Sequence, residues 1–531
     1  MGLGRSSALI AAGTLTSRVT GLLRSMVLVS AMGATVMSAD AFTIANQLPN
    51  YIFQVISTGV LTAVFVPLIV RWSREEDGGR RLISKLFTLA TLILLVITAM
   101  SMLLAPLLVS AISSFRQPEQ FELTVAFTLW CLPQIFFYGM FALVGETLNA
   151  RRVFGPYAWA PIVNNVVSVA GFGAFIWLFG GGGHPVEEWT PAMIALMGGT
   201  ATLGIVAQTV TLVVFWRRTG LRLRPDFRWR GMGLGQIRNL AGWSVGMLLV
   251  GLGVSVVQQN IITTASETGD ASSTVWFNAW LVFMLPYSVI VMSIGTPYFT
   301  QLSEHAAAGR DDEVRGDIGR ATRTLGLLVV LATAAITAAA LPAARLVTND
   351  VSEASAAAPV LIAFLAGLVP MAVLFVVQRT FYAYGDTRTP FLFTLFQAVL
   401  CAAGALVAWS LVGETHLTMA VAAAQSLSSV AQLVLASFLL RRRLGRLGMA
   451  RSLAALVRFA IAAIPAGLAG WAVFAWMGGP ESWMLTSKFA AAGGCLVIGS
   501  VCAVVYVALL ALLRAPELKS VVGMVRGRLG R

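Results

Sequence analysis

Fourteen long apolar runs, separated by short loops whose charge alternates in sign, leave this chain few folds to choose from. The runs lie near 8–32, 41–70, 86–113, 122–149, 157–180, 191–216, 237–265, 273–302, 321–346, 356–384, 389–412, 417–440, 454–477 and 487–513. A helix of about 20 residues spans the roughly 30 Å hydrocarbon core of a bilayer. No water is present there to satisfy an open backbone, so each run must close its own hydrogen bonds as a helix. The expected fold is an all-α polytopic membrane protein of about 14 transmembrane helices, two pseudo-symmetric six-helix lobes plus two C-terminal helices. The first two runs are the least apolar, because serines, threonines and charges interrupt them. Only 11% of residues are charged, against about 25% in soluble domains, and mean hydropathy is +0.81.

Loop charge tests the count independently. Loops on one side carry Arg71, Arg74, Arg80, Arg81 and Lys85, then Arg151 and Arg152, then Arg217, Arg218, Arg222, Arg224, Arg228 and Arg230. The same side later carries Arg310, Arg315 and Arg320, then Arg388, then Arg441, Arg442, Arg443, Arg446 and Arg451. Opposite loops carry Glu119, Glu122, Glu187, Glu188, Glu267, Asp270, Asp350, Glu353, Glu414 and Glu481, with Arg116, Arg345 and Lys488 as the cations at or near that side. The excess of arginine marks the cytoplasmic side, which places both termini inside. The net charge of +14 therefore belongs to membrane topology, and no nucleic-acid partner is expected. Cys131, Cys401, Cys495 and Cys502 lie in apolar runs, and the three histidines are far apart. No metal, cofactor or catalytic constellation is expected, and the chain does not read as an enzyme.

An internal repeat gives the domain plan. ETLNARRVFGPYAWAP from Glu146 is echoed by RTFYAYGDTRTPFLF from Arg379, and LPNYIFQVISTG from Leu48 by LPYSVIVMSIGT from Leu285. Both echoes are six spans apart, an even displacement that preserves orientation across the membrane. The expected units are an N-terminal lobe over 1–220, a C-terminal lobe over 231–446, the last two spans over 451–514 and a basic cytoplasmic tail over 515–531.

Two arginines, Arg18 and Arg24, lie inside the first apolar run. A cation at the bilayer centre costs about 2.5–3.5 kcal/mol on insertion scales, so it is normally retained for a use. A guanidinium fork also matches phosphate oxygens. Six residues separate the pair, about 9 Å along a helix, so both can border one broad cavity. The competing reading has Arg18 snorkelling to the headgroups and Arg24 paired with Asp40. Asp40 itself reads either as a helix cap or as an electrostatic partner of the arginines. Ser17 beside Arg18, and Asn46, Pro49 and Asn50 in a bent, polar second span, extend the candidate binding wall. Gln258, Gln259 and Asn260 in the seventh span, Asn278 in the eighth and Arg379 at the end of the tenth complete it. For each of these the alternative is an interhelical hydrogen bond or a surface ion pair.

TSRVTGLLR, ADAFTIANQLPN, STGVLTAVFVP, ETLNARRVFGPYAWAP and FYAYGDTRTP together resemble the MurJ (MviN) family of lipid II flippases, within the multidrug/oligosaccharidyl-lipid/polysaccharide exporter superfamily. The resemblance runs along essentially the whole chain. It implies a peptidoglycan-precursor transporter of the bacterial plasma membrane, moving undecaprenyl-pyrophosphate disaccharide-pentapeptide from the inner to the outer leaflet by alternating access. It implies functional roles for Ser17, Arg18, Arg24 and Asp40, and a groove by the last two spans for the lipid tail. Membrane lipids and cell-wall synthesis or division proteins are the implied partners. The chain departs from family patterns at YIFQ from Tyr51 and FNAWLVFMLP from Phe277, and no acid falls inside the predicted spans seven to fourteen. That absence argues against sodium coupling and for drive by membrane potential. The rival readings are an exporter of drugs or of another polyprenyl-linked saccharide, a membrane enzyme, and a non-transporting cell-wall scaffold.

Overall fold

The computed structural model describes residues 3–57, 80–151, 153, 155–219, 221, 223–227, 238–445 and 448–518. Expected features at 58–79, at Arg152, Arg222, Arg228, Arg230 and Arg446, and along 519–531 lie outside the described residues. Every element among the described residues is helical, as the apolar runs require.

The first compact unit covers Met1–Thr274. It contains α1 (Leu3–Met32), α2 (Met37–Ile56), α3 (Arg80–Leu103), α4 (Ala105–Ile112), α5 (Pro118–Cys131), α6 (Gln134–Ala150), α7 (Gly155–Phe179), α8 (Pro191–Phe215) and α9 (Arg238–Ile262). Helix α1 packs along α7, α7 along α8, and α2 along α5. Close approach needs small residues where no hydrophobic force drives helices together in lipid. At Gly204 of α8 an added Cβ would lie 2.2 Å from Oδ1 of Asn164 on α7, so only glycine fits there.

The second unit covers Val275–Arg531. Most of α10 (Ser273–Pro286) belongs to it, with α11 (Met292–Ala307), α12 (Asp311–Ala338), α13 (Ala340–Arg345), α14 (Val351–Leu365), α15 (Leu368–Ala383), α16 (Arg388–Leu411), α17 (Glu414–Leu444), α18 (Met449–Trp476) and α19 (Lys488–Leu512). Helix α12 lies against α15, α18 and α19, burying Leu327, Phe459, Tyr506 and Leu510. Tyr506 donates its hydroxyl proton to the Leu327 carbonyl at 3.0 Å, which satisfies the one polar atom of that contact. A π turn at Tyr287–Val291 follows Pro286 and joins α10 to α11 in one span.

Among the described residues, twelve helices or joined helix pairs are long and apolar enough to cross a membrane. They coincide with the third to fourteenth apolar runs; α1 covers the first, and α2 covers the start of the second, whose remainder lies outside the described residues. The breaks recur six spans apart. A long helix followed by a short one forms both the third span (α3, α4) and the ninth (α12, α13), and a mid-span break divides both the fourth (α5, α6) and the tenth (α14, α15). The packing division falls elsewhere than the repeat. Helix α9, placed with the second lobe by the repeat, clusters with the first unit, because Asn260 donates to the Ala111 carbonyl at 2.8 Å and accepts from Ser114 Oγ at 2.8 Å. The last two spans cluster with the second unit. The first residues of the expected tail, 515–518, also dock there, with Ala515 buried and Leu518 against the α12–α18–α19 core.

Candidate functional site

The face of α1 carrying Ser17, Thr20 and Gly21 packs on Asn165 of α7. Asn165 donates through Nδ2 to the Ser17 carbonyl at 3.1 Å and to Thr20 Oγ1 at 2.9 Å. Ser17 thus contributes its backbone to the α1–α7 contact. Arg24 sits seven residues on, nearly on the same face, and is half-buried with Tyr138 of α6 as its electrostatic neighbour. Its Nε is buried, and among the described residues it has no hydrogen-bond partner and Arg24 forms no ion pair. Arg18, one residue round the helix from Ser17, is exposed and makes no hydrogen bond or ion pair among the described residues. Two guanidinium groups are therefore available to an anion, one of them inside the protein.

Asp40 does not accompany them. It lies in the first turn of α2, whose N-cap is Val36, so it does not cap its own helix. It is 1% exposed, and its Oδ1 accepts from the Thr274 amide at 2.7 Å in the first turn of α10. Its Oδ2 accepts from Ser266 Oγ at 2.6 Å. Gln120 of α5 donates to the same Ser266 Oγ at 2.8 Å and to the Met37 carbonyl at 3.0 Å. Thr43 and Thr274 add a hydroxyl pair at 2.9 Å. The carboxylate caps a distant helix start and clamps the 263–274 segment to α2. Sequence reasoning saw the charge and missed its partners, which lie 226 and 234 residues away.

The remaining candidates separate. Asn46 accepts from Gln134 Nε2 of α6 at 3.2 Å, whereas half-buried Asn50 makes no hydrogen bond among the described residues. Gln258 and Gln259 are 4% and 1% exposed, and Gln259 Oε1 accepts from Ser273 Oγ at 2.9 Å. In the second unit Asn278 donates to the Val347 carbonyl at 3.4 Å. Arg379 stacks its guanidinium on Phe299 and Phe375, each 5.1 Å from the ring centroid, and on Tyr382 at 5.9 Å. Of the candidates in the first unit, Ser17, Arg18, Arg24 and Asn50 have side chains that make no hydrogen bond or ion pair among the described residues.

The second unit also holds an apolar groove of about 670 Å³ between α12 and α18. Val330, Ala334, Ala460, Ala463, Gly467 and Trp471 line it, with Val369 of α15 at its edge. A smaller cavity of about 200 Å³ lies among Trp280, Phe364, Gln397, Gln425 and Gln432. Among the described residues no group of three or more His, Cys, Asp or Glu side chains is placed to hold a metal ion.

Long apolar spans, two arginines in the first of them that form no ion pair among the described residues, and an apolar groove in the second unit mark a multi-pass integral membrane protein of the transporter class. The family model for the lipid II flippase MurJ matches residues 28–490. A Rickettsia prowazekii protein named "Probable lipid II flippase MurJ" is 26% identical over 412 residues, covering 75% of this chain and 77% of its own length. A Burkholderia cenocepacia protein named "Lipid II flippase MurJ" is 24% identical over 442 residues, covering 81% and 83%. Among solved structures, "Lipid II flippase MurJ, inward closed conformation" aligns with a TM-score of 0.70 at 16% identity, covering 93% of this chain and 98% of that one. An inward-facing multidrug resistance MATE transporter of the MOP superfamily aligns at 0.63 and 14% identity, covering 82% and 96%. These two share the fold. The chain belongs to the lipid II flippase MurJ family.

Proposed function

We propose that this protein carries lipid II, the undecaprenyl-pyrophosphate disaccharide-pentapeptide, from the inner to the outer leaflet of the bacterial plasma membrane, with both termini in the cytoplasm. Arg18 and Arg24 bind the pyrophosphate, and Asn50 meets the polar headgroup. The observation that carries the reading is the buried, unpartnered Nε of Arg24, in a chain of this family. A desolvated donor without a partner costs more than it returns unless an anion arrives to accept from it. The groove between α12 and α18 takes part of the apolar tail, which keeps it out of water while the headgroup crosses. Alternating access by the two units completes the cycle. An inside-negative potential favours outward movement of the anionic headgroup by about 2.3 kcal/mol per charge per 100 mV, which supplies direction without a coupling ion.

The test is lipid II accessibility on the outer face of cells depleted of their own flippase and expressing this chain. Arg18→Lys and Arg24→Lys keep the charge but lose the bidentate fork. At equal protein level each is expected to cut accessibility about tenfold or more, the equivalent of one charged hydrogen bond. Full activity in both variants refutes pyrophosphate binding by these arginines.

A further inference from the structure

Arg323 of α12 and Arg458 of α18 converge on a single carboxylate, Glu517, in the segment that follows α19. Arg323 Nε lies 3.6 Å from Oε1 and Arg458 Nη1 lies 3.8 Å from Oε2. Both gaps exceed the roughly 2.7–2.9 Å of a charge-assisted hydrogen bond. The Glu517 side chain is only 13% exposed, and its buried Oε2 has no hydrogen-bond partner. A largely buried carboxylate that pairs with two guanidinium groups only at long range, with one oxygen left without a hydrogen bond, fits the space between them poorly. The spacing of the two guanidinium groups suits an anion whose oxygens are set farther apart, and the two cations carry one charge more than Glu517 neutralises. Arg323 lies close over a glycine: a Cβ on Gly319 would be 3.1 Å from Arg323 Nη1 and 3.8 Å from Ser452 Oγ.

Backbone strain brings Glu517 to this place. Helix α19 ends in a turn where Arg514 has φ 51°, the one non-glycine residue with positive φ among the described residues. The Ala515 amide closes the turn on the Leu510 carbonyl at 2.9 Å. Helices usually end this way through glycine, and strain held at a turn is a pointer to function. Here the strained turn folds the chain back so that Ala515 and Leu518 dock and Glu517 meets the arginines.

The apolar groove continues from the same site. Val330, the first α12 residue of its lining, is seven residues from Arg323, about 10 Å along the helix and within about 20° of the same face. Along α18 the lining runs from Leu456 to Trp471, about 22 Å, which exceeds the roughly 15 Å depth of one leaflet. An acyl chain confined to one leaflet covers only part of that length, whereas a polyprenyl chain covers all of it.

We propose that Arg323 and Arg458 form a second phosphate site, at the arginine-rich end of the groove, for the headgroup of a polyprenyl-pyrophosphate lipid whose tail takes the groove. Glu517 is its built-in competitor, and the docked segment around it leaves when the headgroup enters. The inference rests on the proposed function for the lipid class and adds a docking site on the second unit with its own gate.

The test is native mass spectrometry of the full chain in detergent, titrated with undecaprenyl pyrophosphate. It is run in an Arg18→Gln, Arg24→Gln background, so that the arginines of the proposed transport site are silent and their failure is not mistaken for failure here. Binding is expected to persist in that background, to tighten about tenfold with Glu517→Gln and to fall about tenfold or more with Arg323→Gln plus Arg458→Gln. Glu517→Gln removes no arginine, so it decides the matter even where the double arginine variant folds poorly. Binding indifferent to Glu517→Gln overturns the competitor, and equal binding of undecaprenol overturns the phosphate site. Tighter binding of phosphatidylglycerol than of undecaprenyl pyrophosphate overturns the polyprenyl assignment.

Discussion

Replacing Asp40 separates a structural clamp from a substrate-binding charge. The carboxylate is 1% exposed and accepts from the Thr274 amide and Ser266 hydroxyl at 2.7 and 2.6 Å. Asp40→Ala leaves both donors buried without an acceptor, and at about 1.5–3 kcal/mol for each charge-assisted bond the loss is about 3–6 kcal/mol. Asp40→Asn is milder. Its Oδ1 still accepts from Thr274, but its amide faces a Ser266 oxygen that already accepts from Gln120 at 2.8 Å. The serine proton then lacks its acceptor and the remaining bond lacks charge, a cost of about 2 kcal/mol. The expected stability order is wild type, then Asp40→Asn, then Asp40→Ala, measured by thermal unfolding in detergent. Lipid II accessibility per folded molecule is expected to survive Asp40→Asn. A double-mutant cycle with Ser266→Ala should show coupling of about 1 kcal/mol or more between the two sites. An Asp40→Asn protein as stable as wild type but unable to transport would refute the clamp and return Asp40 to the substrate.

Three further outcomes follow from the second unit. Ala460→Trp places a large ring in the groove from an exposed position; outer-face lipid II should fall severalfold while the unfolding temperature stays near wild type, and unchanged transport would remove the groove from the mechanism. Arg345 is 8% exposed and donates through Nε to the Leu485 carbonyl at 3.1 Å and through Nη1 to the Thr348 carbonyl at 2.7 Å. Arg345→Met should therefore cost about 2–4 kcal/mol, and an unchanged unfolding temperature would contradict the pin. Burial, with the Asp311 carboxylate 2.5 Å from its hydroxyl, pushes Tyr384 up to about 12. Because the folded value is raised above the unfolded one, its contribution is complete below about pH 10 and is lost as pH rises toward 12. Tyr384→Phe should flatten that alkaline limb of the stability profile, and an identical limb in the variant would count against it.

The fold was legible because each span carries its own evidence: about twenty apolar residues, set between loops whose charge alternates in sign. Even the weakest spans, α1 and α2, could be counted, since the sign of the next loop demanded them. The packing division was not legible. The repeat relates α9 to the second lobe, whereas the contacts of Asn260 with Ala111 and Ser114 tie it to the first unit. A repeat records sequence correspondence, and a contact records which surfaces meet. The α12–α18 groove had a faint signal in the small residues Ala460, Ala463 and Gly467 facing Ala334 and Ala338. Small residues at helical spacing usually mean close packing, so nothing in the spacing said that a gap remained.

The candidate site shows the same boundary between charge and its use. Arg24 and Asp40 are equally conspicuous in sequence, and opposite charges sixteen residues apart across one turn invite a pair. Pairing would neutralise both and leave nothing for a pyrophosphate. The structure divides them: Asp40 is committed to Ser266 and Thr274, hydrogen-bond donors from far along the chain, and Arg24 keeps a buried Nε without a partner. With Asp40 engaged by Ser266 and Thr274, Arg24 forms no ion pair among the described residues of the same unit. A buried ion pair between them would have been broken only at about 3–5 kcal/mol, each time an anionic headgroup arrived. An acid engaged by backbone and hydroxyl removes that competition, and the cation retains its full attraction for phosphate.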